Sequence, residues 1–165
     1  MYKLFRFAAI AVVVVLMCVN TASAFNLVKL YDDLNAIPYD PSNYTPNVFD
    51  CSNMGALLYD YLKHKGYGVK FVLVKSYRYP YLYHVFLIVY DRNETKNPVS
   101  GMLCTSDGCT ITLRKNCYWI DPVTLSVSDD VKPILDFLYK IYDFRTFYIY
   151  NDYNCTGFPA SEFKY

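Results

Sequence analysis

The first 24 residues constrain this chain most, because their segments follow the order of a secretory signal peptide. Lys3 and Arg6 give a basic start, residues 7–19 form an unbroken apolar run, and the small residues 22–24 are typical of a cleavage site. Cleavage there predicts a mature chain that begins at Phe25 and is secreted or held at the cell surface, in an oxidising compartment. The alternative is a retained anchor, although about 13 apolar residues fall short of the roughly 20 that a spanning helix needs.

Residues 25–165 have the length and charge balance of one globular domain. Without Lys3 and Arg6, the basic residues, 16 in the whole chain, no longer outnumber the 15 acidic ones. No polybasic surface therefore favours nucleic acid or anionic lipid. A domain of about 140 residues buries roughly two thirds of the surface that its unfolded chain exposes. We expect a single domain that binds no nucleic acid and has no membrane span after cleavage.

Export changes how the cysteines are interpreted, because thiols tend to pair in an oxidising compartment. Cys104 and Cys109 flank an Asp-Gly turn signal, which predicts a hairpin with a disulfide across it. A second disulfide between Cys117 and Cys155 would tie the C-terminal tail to the sheet. The alternative is a zinc site made by these four thiols, without the usual Cys-x-x-Cys spacing. Both interpretations leave Cys51 unpaired.

Three Asn-x-Thr sequences also agree with export. They begin at Asn43, Asn93 and Asn154. Such short patterns mark acceptor sites for N-linked glycans in secreted proteins. They predict that the mature protein is a glycoprotein.

Hydrophobic periodicity predicts an α+β fold in which amphipathic helices pack on an antiparallel sheet. Residues 92–116 look like an insertion that carries the predicted hairpin, and Gly66 is a stop signal for the helix that starts at Cys51. β-branched and aromatic residues mark the strands. The predicted helices are 25–37, 51–65 and 129–142, and the predicted strands are 69–74, 85–90, 118–120 and 146–150.

The order of these elements brings three reactive side chains to one end of the domain. If the helix that starts at Cys51 runs away from that end, strand 69–74 returns toward it, because the short 66–68 connection permits only a reversal. The next strand then starts beside the helix start, with His84. A third strand that pairs antiparallel with it finishes at the same end, at Asp121. Cys51, His84 and Asp121 are therefore the candidate site residues.

A thiol, an imidazole and a carboxylate in this order form a nucleophile, a base and a group that orients the base. The start of a helix favours an anion by roughly 0.3–2 kcal/mol, because unsatisfied N–H groups point at it. This contribution alone does not activate a thiol, so an ion pair between Cys51 and His84 is expected to supply the remainder.

At these positions the chain resembles the transglutaminase-like superfamily of papain-type cysteine enzymes. The resemblance lies in residues 49–54 (Phe-Asp-Cys-Ser-Asn-Met), 84–89 (His-Val-Phe-Leu-Ile-Val) and 118–124 (Tyr-Trp-Ile-Asp-Pro-Val-Thr). It implies a papain-like core with a helix that carries the cysteine on a sheet that carries histidine and aspartate. It also implies a catalytic triad of Cys51 as nucleophile, His84 as general base and acid, and Asp121 as orienter.

The same resemblance implies acyl transfer from an amide of a peptide, a protein or a cell-surface polymer, without cofactor or metal. Hydrolysis is the default outcome wherever water reaches the site. An oxyanion hole would use the backbone N–H of Cys51, with Tyr44 or Asn53 as the second donor.

Two alternatives stay open. The Asp-Cys-Ser start with a later His-Val also resembles the NlpC-type peptidoglycan peptidases, which use cysteine and histidine in a related arrangement. A different class of function is a catalytically inactive surface module that binds a partner through the tyrosine-rich loop before His84. This loop carries Tyr77, Tyr79, Tyr81 and Tyr83, and tyrosine rings suit extended peptides or sugar rings.

Overall fold

A computed structural model describes residues 25–105, 108–130 and 144–156. The described part is α+β, with a helix packed on an antiparallel sheet, as the periodicity predicts. Its elements, in chain order, are α1 (Leu27–Leu34), α2 (Cys51–His64), β1 (Tyr67–Ser76), β2 (Tyr83–Asp91), β3 (Val99–Thr105), β4 (Gly108–Leu113), β5 (Tyr118–Ile120), β6 (Val127–Ser128) and β7 (Phe144–Tyr150), with single 3-10 turns at Pro41–Asn43 and Tyr153–Cys155.

Helix α2 starts and ends where its sequence signals place it. Asp50 caps the helix by accepting a hydrogen bond from the Ser52 backbone N–H at 2.9 Å, while Asn53 accepts one from the Asp50 N–H at 3.0 Å. This reciprocal pair satisfies N–H groups that have no partner within the helix. At the other end Lys65 is the C-cap, and Gly66 follows with a φ of 92°, a conformation that glycine adopts without strain.

Five strands form the main sheet in the order β6-β5-β2-β1-β7, and every neighbouring pair is antiparallel. Strands β1 and β2 are the longest and lie at its centre. Strands β3 and β4 form a separate two-stranded sheet within the predicted 92–116 insertion. Because β5 runs antiparallel to its neighbour β2, the end of β5 lies at the same end of the sheet as the start of β2.

Both faces of the central strands are buried, so successive residues alternate between two apolar clusters. The cluster on the helix side contains Leu58 and Leu62 of α2 and, from β1 and β2, Val69, Phe71, Leu73, Val85, Leu87 and Val89. The cluster on the opposite side contains Val72, Val74, Phe86, Ile88, Trp119 and Phe147. A sheet covered on both faces explains why β1 and β2 read as continuous apolar runs rather than as alternating ones.

The structure refines several boundaries predicted from the sequence. Helix α1 is shorter than the predicted 25–37, because Asn26 caps its start by accepting a hydrogen bond from the Lys29 N–H and Asn35 is already its C-cap. Strand β1 extends two residues beyond each end of 69–74, and β2 starts two residues before and ends one residue after 85–90. Strand β6 is additional. The predicted helix 129–142 lies, from residue 131 onward, outside the described residues.

The predicted disulfide between Cys117 and Cys155 is wrong, since both cysteines are free. Cys117 lies just before β5 and is buried in the cluster opposite the helices. Cys155 follows β7, three strand positions away from β5 in the sheet. Strands β1 and β2 therefore separate the two strands that the cysteines flank. A zinc site shared by all four thiols would likewise need these two segments to lie side by side.

The hairpin formed by β3 and β4 has the arrangement that the other predicted disulfide requires. Cys104 lies directly opposite Cys109 in the antiparallel register, and Cys104 is disulfide-bonded rather than free. The structure does not describe the side chain of Cys109. That Cys109 is the disulfide partner of Cys104 therefore stays a prediction. Across the ranges that the structure describes, no helix combines the length and the apolar character needed to cross a membrane.

A buried carboxylate joins α1 to α2 and β1. Asp33 accepts a hydrogen bond from the Tyr67 hydroxyl at 2.8 Å and pairs with Lys29 and, at 3.4 Å, with Lys65. Its backbone carbonyl accepts a hydrogen bond from the Tyr61 hydroxyl at 3.0 Å. Burial opposes the charge of Asp33, but the bonds from Lys29 and Tyr67 outweigh it and lower the pKa of this carboxyl.

Replacing this carboxylate tests how strongly it fixes α1. We expect Asp33→Ala to lower the free energy of unfolding by about 1–3 kcal/mol, because the Tyr67 hydroxyl loses its acceptor. Urea unfolding at pH 7 measures the change. The matched control is Asp32→Ala, at the neighbouring exposed position, which should stay within about 0.5 kcal/mol of the wild type. Equal effects of the two substitutions would contradict this role.

Candidate active site

The first turn of α2 places the sulfur of Cys51 at the end of the sheet where β2 starts. Cys51 is 8% exposed and belongs to the cluster on the helix side. Its Sγ lies 3.9 Å from the backbone carbonyl oxygen of Tyr83. The capping bonds made by Asp50 fix the turn that carries the thiol, so the sulfur is held by the helix rather than by a loop.

The next residue of β2, His84, contacts both other candidate residues. Its Nε2 lies 3.3 Å from Oδ2 of Asp121, and the Cys51 side chain is close enough to the ring to raise the pKa of the imidazole. The ring also packs edge-on against Phe86, with the centroids 4.7 Å apart. The side chain of His84 is 15% exposed. The structure therefore brings Cys51, His84 and Asp121 together around one imidazole.

Strand register explains why Asp121 reaches His84 across 37 positions of sequence. Leu87 pairs with Ile120 in the antiparallel ladder of β2 and β5. One further step sets Asp121 opposite Phe86. His84 is two residues from Phe86 on the same side of its strand, which makes it the diagonal neighbour of Asp121, within reach of a ring.

A short loop fixes the carboxylate of Asp121. Its Oδ1 accepts hydrogen bonds from the backbone N–H groups of Val123 at 2.8 Å and Thr124 at 3.4 Å, which leaves Oδ2 for the imidazole. The loop closes through a bond from the Leu125 N–H to the Asp121 carbonyl at 2.8 Å, with a left-handed φ of 56° at Leu125. Both oxygens of the buried carboxylate therefore have partners, as a buried charge requires.

Tyr39 is a further residue of this region that the sequence reasoning missed. Its hydroxyl donates to the carbonyl of Pro122 at 2.7 Å and so holds the loop that orients Asp121. Burial, together with the charge of Asp121, raises the pKa of Tyr39 well above its ordinary value. In the sequence, Pro38 and Pro41 mark the segment of Tyr39 only as a turn. No sequence pattern links Tyr39 to Pro122, which lies 83 positions later.

The electrostatics of the site favour a protonated imidazole. Burial lowers the pKa of His84, but the hydrogen bonds and charges of Asp121 and Cys51 outweigh burial and raise it to about 10. Burial likewise opposes the charge of Asp121, but the hydrogen bond and charge of His84 and the backbone bonds from Val123 and Thr124 together outweigh it and lower the pKa of the carboxyl. The two directions agree, because each group stabilises the charged form of the other.

The two side chains proposed as oxyanion donors, Asn53 and Tyr44, lie in the first turn of α2 and on the segment before it. The side-chain oxygen of Asn53 is used in the helix cap, and the residue is buried. Its signal, an Asp three positions before an Asn at a helix start, is a capping pattern that the sequence displays. Tyr44 is exposed on the segment before α2. The described residues contain no cluster of three or more side chains that could hold a metal ion.

The tyrosine-rich loop lies immediately before His84, and most of its rings face solvent. Tyr77 is 72% exposed and Tyr81 is 97% exposed. Ser76 closes the loop, since its N–H donates to the Leu82 carbonyl at 3.0 Å and its hydroxyl accepts from the Tyr79 N–H at 2.9 Å. The loop is therefore a compact hairpin tip that presents aromatic rings beside the site.

No protein-family model, curated protein or solved structure matches this chain. The functional assignment therefore depends on the geometry of the three residues and on the resemblance of their motifs.

The pair of His84 and Asp121 predicts a specific pH dependence. Because the pKa of His84 is raised when the protein folds, its stabilising contribution is complete below about pH 6.5 and is lost as the pH rises to about 10. In Asp121→Asn the pKa of His84 should fall by about 1–3 units, and the loss of stability should then occur at lower pH.

NMR titration of the ring protons measures the pKa, and urea unfolding between pH 6 and 10 measures the stability. The chain has two histidines, so His64→Gln assigns the two ring signals. The control is Asp129→Asn, which removes an exposed carboxylate and should leave the His84 titration unchanged. An unaltered pKa of His84 in Asp121→Asn would show that the carboxylate does not stabilise the imidazolium.

Proposed function

We propose that this protein is a secreted cysteine-dependent acyl-transfer enzyme of transglutaminase-like type, with a papain-like core. The observation that supports the proposal is the imidazole of His84, which lies 3.3 Å from the carboxylate of Asp121 and next to the residue whose carbonyl contacts the Cys51 sulfur. This set supplies a nucleophile, a proton carrier and an orienting carboxylate within one contact shell.

Each side chain has a defined task in the proposed reaction. The Cys51 sulfur attacks the carbonyl carbon of an amide, and the C–N bond breaks as protonated His84 gives its proton to the leaving amine. A thioester remains on Cys51. His84, now neutral, takes a proton from water or from a second amine as that molecule attacks the thioester, which releases the acyl group and restores the thiolate. Asp121 keeps the ring oriented throughout.

The substrate proposed is an amide of a peptide or a protein, and hydrolysis is the expected outcome. Water is present at any partly exposed site, and His84 is 15% exposed. The three sequon residues Asn43, Asn93 and Asn154 are all exposed, which is compatible with glycosylation and supports the proposed secreted or cell-surface location. An NlpC-type peptidase, which acts on cell-wall peptides, uses the same pair of cysteine and histidine and is the nearest alternative.

The reactivity of Cys51 tests the proposal directly. We expect iodoacetamide at pH 6 to alkylate Cys51 at least about tenfold faster than Cys155, because the thiolate is the reactive form and an imidazolium stabilises it. Cys155 is the internal control, since it is free and exposed. Peptide mass mapping after brief exposure measures both sites in one sample, and His84→Gln should bring the two rates together. A Cys51 that reacts no faster than Cys155 would sink the proposal.

An activity assay then separates hydrolysis from transamidation. The purified protein is incubated with labelled casein and a fluorescent primary amine. Release of small peptides indicates hydrolysis, whereas label joined to intact casein indicates amine transfer. Cys51→Ala removes the nucleophile and should lose either activity.

The exposed tyrosines support a second candidate, a binding module without catalysis. Tyr77 and Tyr81 project from a closed loop, and exposed rings of this kind stack on sugars and extended peptides. In this case Tyr81→Ala should lower retention on an immobilised cell-surface oligosaccharide by about tenfold, the loss of one aromatic contact. Cys51→Ala and the control Tyr31→Ala, an exposed tyrosine on α1, should leave retention unchanged. Loss of function in Cys51→Ala alone would favour the enzyme.

A further inference from the structure

A glycine lies one helical turn after the candidate nucleophile, on the side of α2 that faces the sheet. A methyl group built on Gly55 would lie 2.4 Å from Cγ1 of Val85 and 3.2 Å from Cε2 of Phe71. The first distance is well inside van der Waals contact. Helix α2 and strand β2 therefore approach each other so closely at Gly55 that a residue with a Cβ atom would clash there.

The atoms that meet Gly55 have little freedom to move. Val85 and Phe71 are fully buried, and Val85 is β-branched, which restricts its rotamers. Val85 is also held in the sheet by its pairing with Leu73 of β1. A side chain at position 55 would therefore displace the start of α2 from the sheet rather than displace the strand.

This contact is adjacent to the candidate site on both elements. Gly55 and Cys51 are four positions apart, which places them on the same side of a helix, and Val85 directly follows His84. We propose that the contact between Gly55 and Val85 sets the spacing between the Cys51 sulfur and the His84 ring. Gly55 and Val85 are then positioning residues. The catalytic importance of this spacing rests on the proposed function. The spacing itself does not, because it is measurable without a substrate.

General helix preferences do not explain a glycine at this position. Alanine is the better helix former, because glycine loses more backbone freedom on folding. A Gly55→Ala substitution should therefore strengthen the isolated helix. The cost arises from the sheet, so the effect of the substitution depends on the side chain at position 85.

The experiment is a double-mutant cycle with Gly55→Ala and Val85→Ala, in which the alkylation of Cys51 by iodoacetamide at pH 6 is measured relative to Cys155. Gly55→Ala should slow Cys51 about tenfold, because a displacement of about 1 Å weakens a contact between reacting groups strongly. The pKa of His84, measured by NMR, should fall in the same variant. Val85→Ala removes Cγ1 and should restore both values in the double variant, even though the cavity lowers its melting temperature.

Gly101→Ala is the matched control, since a methyl group there meets no atom within 4 Å. If Gly55→Ala does not fold, the comparison is made in the Val85→Ala background, where adding Gly55→Ala should not change the rate. A lower rate in that background, or a wild-type rate in Gly55→Ala alone, overturns the inference. A wild-type Cys51 that reacts like Cys155 instead contradicts the proposed function, and the NMR measurement then still tests the spacing.

Discussion

The site depends on a buried carboxylate whose two oxygens face different partners. Oδ1 of Asp121 accepts from backbone N–H groups of its own loop, and Oδ2 contacts the ring of His84. A buried carboxylate without such partners would take up a proton, because burial alone disfavours its charge. The bond from His84, together with the backbone bonds of the loop, keeps Asp121 ionised, and the ionised carboxylate in turn favours protonated His84.

The pair of His84 and Asp121 lies at the end of the sheet because both faces of the sheet are buried. Helix α2 buries one face of β1 and β2, and a second apolar cluster buries the other face. The centre of the sheet therefore has no room for polar chemistry, and the polar groups gather where strands end. At that edge the cap of α2, the start of β2 and the end of β5 meet. The capping residue Asp50 and the tyrosine Tyr39 then hold the helix start and the Asp121 loop from outside the sheet.

Local signals were sufficient for the parts of the structure that local contacts determine. The start of α2 at Cys51 and the strand that follows Gly66 have signals within a few residues, and the reversal between them returns the chain, and with it His84, to the helix start. The alignment of His84 with Asp121 also needs the antiparallel pairing of β5 with β2, which the sequence argument assumed and the structure contains. The position of β7 has no such signal. It pairs with β1 on the far side from β5, and this pairing is what separates Cys117 from Cys155. The contacts of Tyr39 and Gly55 join residues that are 83 and 30 positions from their partners, so only the folded chain displays them.

Under the proposed function, the imidazolium of His84 stabilises two anions, the Cys51 thiolate and the Asp121 carboxylate. The helix start adds positive potential at Cys51, but Asp50 already uses part of it, because its side chain accepts the hydrogen bonds of the first turn. In the proposed site, protonated His84 supplies a full positive charge beside the thiolate. Asp121 stabilises the imidazolium but also pairs with it. The imidazolium therefore stabilises a thiolate only if the sulfur lies close to the ring. The close approach of α2 to β2 at Gly55 and Val85 supplies that closeness, which makes the packing of two apolar surfaces a condition for the chemistry at their edge.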